Sequence, residues 1–355
     1  MIPEDILQIQ ADAQAGLADS RFRAAAARAG FQLAGVAAAG LAKDYPIYDQ
    51  WVADGLAGPL GYLTDHRGKL REDARALLPA ARSVLCVGML YHTPGPQAHS
   101  VSRYAWGGAD YHDLVRAALE RMVGEMQAAL AKFEYRICVD TAPLLERSWA
   151  REAGLGWIGR NTCLINEPLG SWLFLGEVLT TLELTPSTPP ADRCGTCRRC
   201  IEACPTQALV ETTAGRARLD AARCISTWTI EQRGALAPEQ CEATGGLLFG
   251  CDICQEVCPW NRRAPATEEP GFQPLHPAPD PAELAEMPEA EFRARFRQTP
   301  LWRTRHAGLL RNAATVMGNS GDPAYLPALR RLSESENSAV AAHARWAIEK
   351  LESRR

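Results

Sequence analysis

Apolar positions along the chain change their spacing several times, and each change marks an element. Ser20 to Gly30 carries small apolar residues at helical spacing, which predicts a helix with Ser20 as N-cap and Gly30 as its stop. FQLAGVAAAG then reads as a strand, and SVLCVGML as a buried strand bounded by Pro79 and the turn Thr93-Pro94-Gly95-Pro96. From Tyr111 to Lys132 the apolar residues Leu114, Ala118, Met122 and Met126 recur every fourth position, so this segment is predicted as a helix. Tyr135 to Asp140 predicts a strand, Pro143 opens a helix ending near Gly154, and Trp172 to Leu184 predicts another strand. This order is mixed α/β, without the steady βαβ alternation of a doubly wound sheet.

Thr185-Pro186-Ser187-Thr188-Pro189-Pro190 is the clearest linker, and the Pro-rich, acidic stretch 263–282 reads as a second linker or a wrapped irregular segment. Amphipathic helices are expected at Leu309–Met317, Tyr325–Leu332 and Val340–Leu351, with Gly321-Asp322-Pro323 breaking the first two as helix-repeat units do. So few helices must stack on the rest of the protein to bury their apolar faces. The expectation is an α+β multidomain chain: an α/β domain over 1–185, a cysteine-rich domain over 186–262, a linker and connecting helix over 263–300, and a helical-repeat tail over 301–355.

Composition narrows the class. The chain has 355 residues, 46% hydrophobic and 23% charged, enough for two or three soluble domains. No run of eighteen apolar residues predicts a membrane span. Net charge is 38 − 42 = −4, which argues against a generally basic nucleic-acid binder. Arg293, Arg295, Arg297, Arg303, Arg305 and Arg311 nevertheless form a strip without an acid, with Phe296, Trp302 and His306 interleaved. Such a strip could hold phosphates and stack bases, or be a solvated helix face; the residues leave both open. The opening MIPEDILQIQADAQ is acidic and amphipathic, unlike a secretory signal, so the cytoplasm is expected and disulfides are disfavoured.

Twelve cysteines are present, and eight fall into two interlocking runs. One is Cys194-x2-Cys197-x2-Cys200-x3-Cys204-Pro205; the other is Cys251-x2-Cys254-x3-Cys258-Pro259, with Cys224 upstream. Three thiolates at this spacing close on one cubane face while the proline-linked fourth serves another cluster, the pattern of a two-[4Fe-4S] ferredoxin. Crossover assigns Cys194, Cys197, Cys200 and Cys258 to one cluster, and Cys204, Cys224, Cys251 and Cys254 to the second. Residue 248 is Leu, so a distant cysteine must complete the second set; Cys224 is preferred and Cys241 is the rival. A zinc ribbon needs neither the third cysteine nor the proline. Cys86, Cys138 and Cys163 read as small core residues. Gly154-x-Gly156-x-x-Gly159 follows a helix and leads into apolar CLI, the wrong context for a dinucleotide site.

Clusters of this kind move single electrons and imply a partner centre. RICVDTAPLLERSWAREAGLGWIGRNTCLINEPLGSWLFLGEVLTTLEL, followed by the cysteine run, resembles the epoxyqueuosine reductase family. The resemblance extends from ARSVLCVGMLYH through ARCISTWTIEQRG into RHAGLLRNAATVMGNSG, most of the chain. It implies a cobalamin-binding α/β domain, a two-[4Fe-4S] ferredoxin-like domain and a HEAT-like tail that helps bind tRNA. The implied reaction reduces epoxyqueuosine at the tRNA wobble position to queuosine, the last step of its biosynthesis, with cobalamin fed through the clusters by an external electron donor.

By motif, the resemblance makes Asp140 the proton donor, which requires a carboxyl kept protonated away from cations; without it, Asp140 would read as a helix N-cap. It favours Cys224 over Cys241. It places Ser226, Arg103 and the segment Cys251, Asp252, Ile253 and Cys254 near the cobalamin, puts Tyr111 and His112 near the reacting centre, and gives Arg233 a tRNA contact, to which the strip adds Arg303 and Arg305. Departures are Arg160 where Lys is common, Ala57-Gly58-Pro59-Leu60-Gly61 in a glycine-rich segment that usually carries an acid and Met, and Ala74 for a usual Pro. No D-x-H-x-x-G motif is present, so the cofactor rests on resemblance. A reductive-dehalogenase-like enzyme acting on a small organohalide and a ferredoxin-type carrier are the rival readings. A monomer is expected, since the chain carries its own electron-transfer and recognition segments.

Overall fold

The computed structural model describes residues 4–95, 99–212 and 217–353. Pro96 and the side chains of residues 1–15 fall outside that description, and with them the last turn proline and the amphipathic reading of the opening segment.

Four antiparallel strands form the main sheet, in the spatial order Leu33–Ala38, Ser83–Leu90, Leu173–Thr180, Tyr135–Cys138. One face packs on helices Glu4–Ala29 and Tyr111–Ala129 through Phe22, Leu85, Val87, Leu119, Met122 and Met126. The other packs on helix Glu146–Glu152 through Trp149 and Ala150. Coverage on both faces explains why Ser83–Leu90 is apolar throughout rather than alternating: all eight of its residues are buried. Gly35 has a steric reason, because a Cβ there would lie 1.9 Å from the Ala153 carbonyl oxygen where the helix end meets the strand.

Three expectations shift. Ser20 is not an N-cap; the helix starts at Glu4, and the Ser20 hydroxyl donates back to the Leu17 carbonyl at 2.9 Å. The helix expected from Pro143 begins at Glu146, and the strand expected to reach Asp140 ends at Cys138 because Asp140 turns left-handed, φ 51°. The segment 185–190 has no regular structure and is held on the edge strand, Ser187 N–H donating to the Val36 carbonyl at 2.8 Å.

The cysteine segment consists of short helices and the ladder Leu209–Glu211 with Ala217–Leu219. Residues 263–277 wrap the surface through backbone bonds from Thr267 to His92, Leu275 to Trp106 and Val101 to Pro277. Helices Arg305–Ser320, Leu326–Ser333 and Ser338–Glu352 follow; the first and third are longer than predicted, and the second has the predicted length, shifted by one residue. Arg311 leaves the expected surface strip: it is 1% exposed and donates to the carbonyls of Trp228, Gln232 and Gly234 and to Asn312 Oδ1, at 2.6–3.1 Å. Asn312 donates to Thr229 and Leu248, so one helical turn holds the cysteine segment by its backbone. Burial lowers the Arg311 pKa to about 10, which leaves it charged at neutral pH. Arg311→Met strands three carbonyls, and we expect a loss on the order of 3 kcal/mol, read as a lower denaturation midpoint of the metal-loaded protein, with Arg311→Lys intermediate.

Candidate active site

Gly195 takes a left-handed turn, φ 53°, and the short helix Arg199–Glu202 follows, so the first cysteine run curls back on itself. Cys194, Cys197, Cys200 and Cys258 line one cavity of about 240 Å³ with Ile165, Arg160 and Trp260. Arg160 donates to the carbonyls of Gly195 (2.9 Å) and Cys197 (3.2 Å), which secures the loop. Burial, then the neighbouring Cys258 and Cys194, push the Cys200 thiol up to about 11. A second set gathers separately: burial raises Cys251 to about 12, with Cys224 and Cys204 adding to it, and raises Cys254 well above the usual thiol range, with Cys163, Cys251 and Cys224 adding. Thiols crowded in this way give up their protons to a bound cluster.

Cys241 stands elsewhere, 1% exposed, with its sulfur 3.7 Å from His343 Nδ1. Cys86 and Cys138 are core residues of the sheet. Cys163 is not: it lies half-buried just before the strand Leu164–Ile165, near Cys254 and Arg147. Among the described residues no three His, Cys, Asp or Glu side chains converge on a single metal ion; in the first set, four thiols surround a cavity, which suits a polynuclear group.

Next to the second set, Arg103 N–H donates to Asp252 Oδ2 at 2.7 Å. The Arg103 guanidinium donates to the Thr93 carbonyl at 3.0 Å, reaches Glu256 at 3.4 Å and sits over the Trp106 and Trp172 rings. Asp252 is 3% exposed and burial pushes it up to about 6. Arg103 Nε and Thr93 Oγ1 are buried without a partner, so this pocket can still satisfy a bound polar group. Ser226, in the helix Ile225–Ile230, and Ile253, at the start of the helix Ile253–Glu256, are half-buried.

The protonation of Asp140 corrects an expectation. Its carboxylate accepts from His112 Nε2 at 3.0 Å, while His112 Nδ1 donates to Asp110 Oδ1 at 2.6 Å. Asp110 also caps the helix starting at Tyr111, through His112 N–H at 2.9 Å. An imidazole donating from both nitrogens is an imidazolium. Burial alone would lower the His112 pKa, but the two carboxylates raise it to about 9. Burial alone would raise Asp140; the His112 bond and charge, with Tyr111 and Arg303, bring it below the usual carboxylate range. A cation therefore lies against Asp140, and at rest the proton is on His112. Tyr111 stacks on Phe174 at 4.3 Å and on His112 at 4.1 Å, which fixes the ring.

Two residues at this site were missed by sequence. Glu146 Oε1 accepts the Asp140 backbone N–H, and Glu177, 0% exposed, sits within Glu146's reach in the strand Leu173–Thr180. A lone acid inside the apolar run LFLGEVLT was the available signal.

Arg303 pairs with Glu231 at 3.0 Å, lies over the Tyr62 ring and is close enough to Asp140 to lower it. Arg233 is tied to the carbonyl of Thr304 at 3.0 Å, near Arg303 and Arg305, and Arg305 lies over Trp302. The strip expected from Arg293 to Arg311 is thus not one face: Phe296 and Arg311 are buried, while Arg233, Arg303 and Arg305 form a basic edge beside Asp140.

Two thiol sets, with a charged imidazole held against Asp140 in the same chain, fit a two-cluster iron–sulfur oxidoreductase. Residues 193–261 match the family described as "4Fe-4S double cluster binding domain", and residues 71–141 the family "Epoxyqueuosine reductase QueG, DUF1730". The chain is 40% identical over 349 residues to the epoxyqueuosine reductase of Xanthomonas campestris pv. campestris, covering 93% of this chain and 95% of that one. It superposes on an epoxyqueuosine reductase crystallised with an epoxyqueuosine-modified tRNA-Tyr stem loop, with TM-score 0.83, 27% identity and coverage of 94% and 90%. A Bacillus subtilis epoxyqueuosine reductase whose catalytic aspartate loop is swung out of the active site matches with TM-score 0.82, 26% identity and coverage of 94% and 90%. The chain belongs to the epoxyqueuosine reductase family of oxidoreductases and carries the double [4Fe-4S] cluster domain. No described helix is long and apolar enough to cross a membrane.

His112 carries a pH signature. Its folded pKa, about 9, lies above the ordinary imidazole value, so its contribution to stability is complete below that ordinary value and is lost as pH rises through about 9. The unfolding midpoint of the wild type should fall across that window, and that of His112→Gln should fall less.

Proposed function

We propose that this protein reduces epoxyqueuosine to queuosine at the wobble position of tRNA, as the last step of queuosine formation. The observation that carries the reading is the Asp140–His112 pair, a proton store at neutral pH beside a basic edge, in a chain of this family. Both C–O bonds of the epoxide break, a carbon–carbon double bond forms, and two electrons and two protons release the oxygen as water. Cobalamin, when bound, supplies the metal centre that reduces the epoxide carbon. Arg103, Ser226 and the segment Cys251, Asp252, Ile253 and Cys254 would hold it, with the orphaned Arg103 Nε and Thr93 Oγ1 facing its polar groups.

The chain's own residues then divide the work. Asp140 faces the leaving oxygen and passes a proton that His112 supplies; Asp110 keeps His112 oriented and charged. Cys194, Cys197, Cys200 and Cys258 would hold one [4Fe-4S] cluster and Cys204, Cys224, Cys251 and Cys254, whose loop contains Asp252, the other; when bound, the clusters would supply single electrons drawn from an external donor. Arg233, Arg303 and Arg305 bind the tRNA backbone. The swung-out aspartate loop of the Bacillus subtilis relative supports a mobile role for the Asp140 turn.

The domain limits 1–185, 186–262, 263–300 and 301–355, the HEAT-like character of the tail, a monomeric state and a cytoplasmic setting complete the reading. The organohalide and electron-carrier alternatives have no observation in their favour.

Anaerobic reconstitution with iron, sulfide and cobalamin, followed by nucleoside mass spectrometry of treated tRNA, tests the reaction. Asp140→Asn should lower kcat by at least about 10²-fold with tRNA binding unchanged; full turnover removes the acid role. Cys224→Ala should lose about half of the bound iron, and Cys241→Ala should keep it all, since each cluster depends on its own ligands. Arg303→Ala with Arg305→Ala should weaken tRNA binding and lower the slope of log affinity against log salt by about 2. Unchanged salt dependence would rule out phosphate contacts there.

A further inference from the structure

Glu177 is a carboxyl the chemistry above does not use. It is 0% exposed, in register with Cys86 on one neighbouring strand and Cys138 on the other. Neither of its oxygens receives a hydrogen bond from an N–H or hydroxyl of the chain. The neighbour in hydrogen-bonding position is Glu146, from the start of the helix Glu146–Glu152. Two carboxylates cannot share such a place without a proton between them. Glu146 in turn accepts the backbone N–H of Asp140. Asp140 holds φ 51°, a conformation that costs a non-glycine residue free energy and persists only where neighbours enforce it.

We propose that Glu177 and Glu146 form a proton-sharing positioning pair: Glu177 donates its proton to Glu146, and Glu146 holds the Asp140 N–H so that the strained turn keeps the Asp140 carboxylate on His112. Glu177 touches neither substrate nor cofactor; it acts through Glu146. The swung-out aspartate loop in the Bacillus subtilis relative shows that such a turn has an alternative position, and the pair stabilises the inward one. Other titratable or charged groups around the pair are Cys86 and Cys138 on the flanking strands, Asp140 in the turn and Arg147 next to Glu146, whose guanidinium donates to the Thr162 carbonyl.

This inference rests on the proposed role of Asp140, and its test separates the two. Hydrogen exchange of the Asp140 amide, measured on the reconstituted protein, reads the Glu146 bond without reference to turnover. Glu177→Leu and Glu146→Ala should each speed that exchange by at least about tenfold and lower kcat by at least about tenfold with KM for tRNA unchanged. Glu177→Gln keeps a donor toward Glu146 and should restore both, while removing the infrared carbonyl stretch of a protonated buried carboxyl. If Glu177→Leu does not fold, Glu177→Gln and Glu146→Ala decide the matter. Wild-type exchange and kcat in Glu146→Ala, or loss of protection in Glu177→Gln, would overturn the pair. Absence of conversion by the wild type, with exchange responding as expected, would overturn the proposed reaction and leave the pair standing.

Discussion

A buried guanidinium without a carboxylate partner joins the cysteine segment to the helical tail. Arg311 satisfies its donors on the carbonyl of Trp228, in the helix carrying Ser226, and on those of Gln232 and Gly234 in the turn that follows it. A charge out of water is tolerated only when its hydrogen bonds are made, so this turn and the tail helix hold one relative position. The basic edge depends on it: Arg233 leaves the same turn and Arg303 the residues just before the same helix, and Arg303 brings that edge against Asp140, from the segment that precedes the cysteine runs. A surface ion pair such as Arg303–Glu231 could not impose that placement, because exposed pairs contribute little.

The second organising constraint is where protons reside. Asp140 is ringed by hydrogen-bonding groups: His112 at 3.0 Å, Tyr111, and Glu146 on its backbone. A neutral acid in an apolar pocket would also hold a proton at neutral pH. This site instead holds it on an imidazolium between two carboxylates. Burial drives the opposite result behind Glu146, where the Glu177 carboxyl, beside a second carboxylate, rises well above the usual range.

Much of this was legible in residue order. The strands at 33–38, 83–90 and 173–180 and the helix from Tyr111 follow from apolar spacing and from proline and glycine punctuation, which are local signals. The cysteine runs announce clusters because thiolate spacing is itself the ligand geometry. Ser20 and Pro143 misled because a capping residue type marks an end only when the neighbouring pattern stops there, and the helix Glu4–Ala29 does not stop.

What the sequence by itself determined is the set of elements and the chemistry its residue types permit: eight candidate cluster thiols, a candidate acid and a chain of the right order. Which charges meet was decided only in three dimensions. Asp110, His112, Asp140, Glu146 and Glu177 come from four segments, and Arg233 reaches Arg303 across 70 residues of chain. Protonation depends on distance and solvent access, neither of which is a property of neighbours in sequence. The same fact removed Arg311 from the apparent basic strip and put it in the core, because helical periodicity turned it toward a row of carbonyls that only the folded chain assembles.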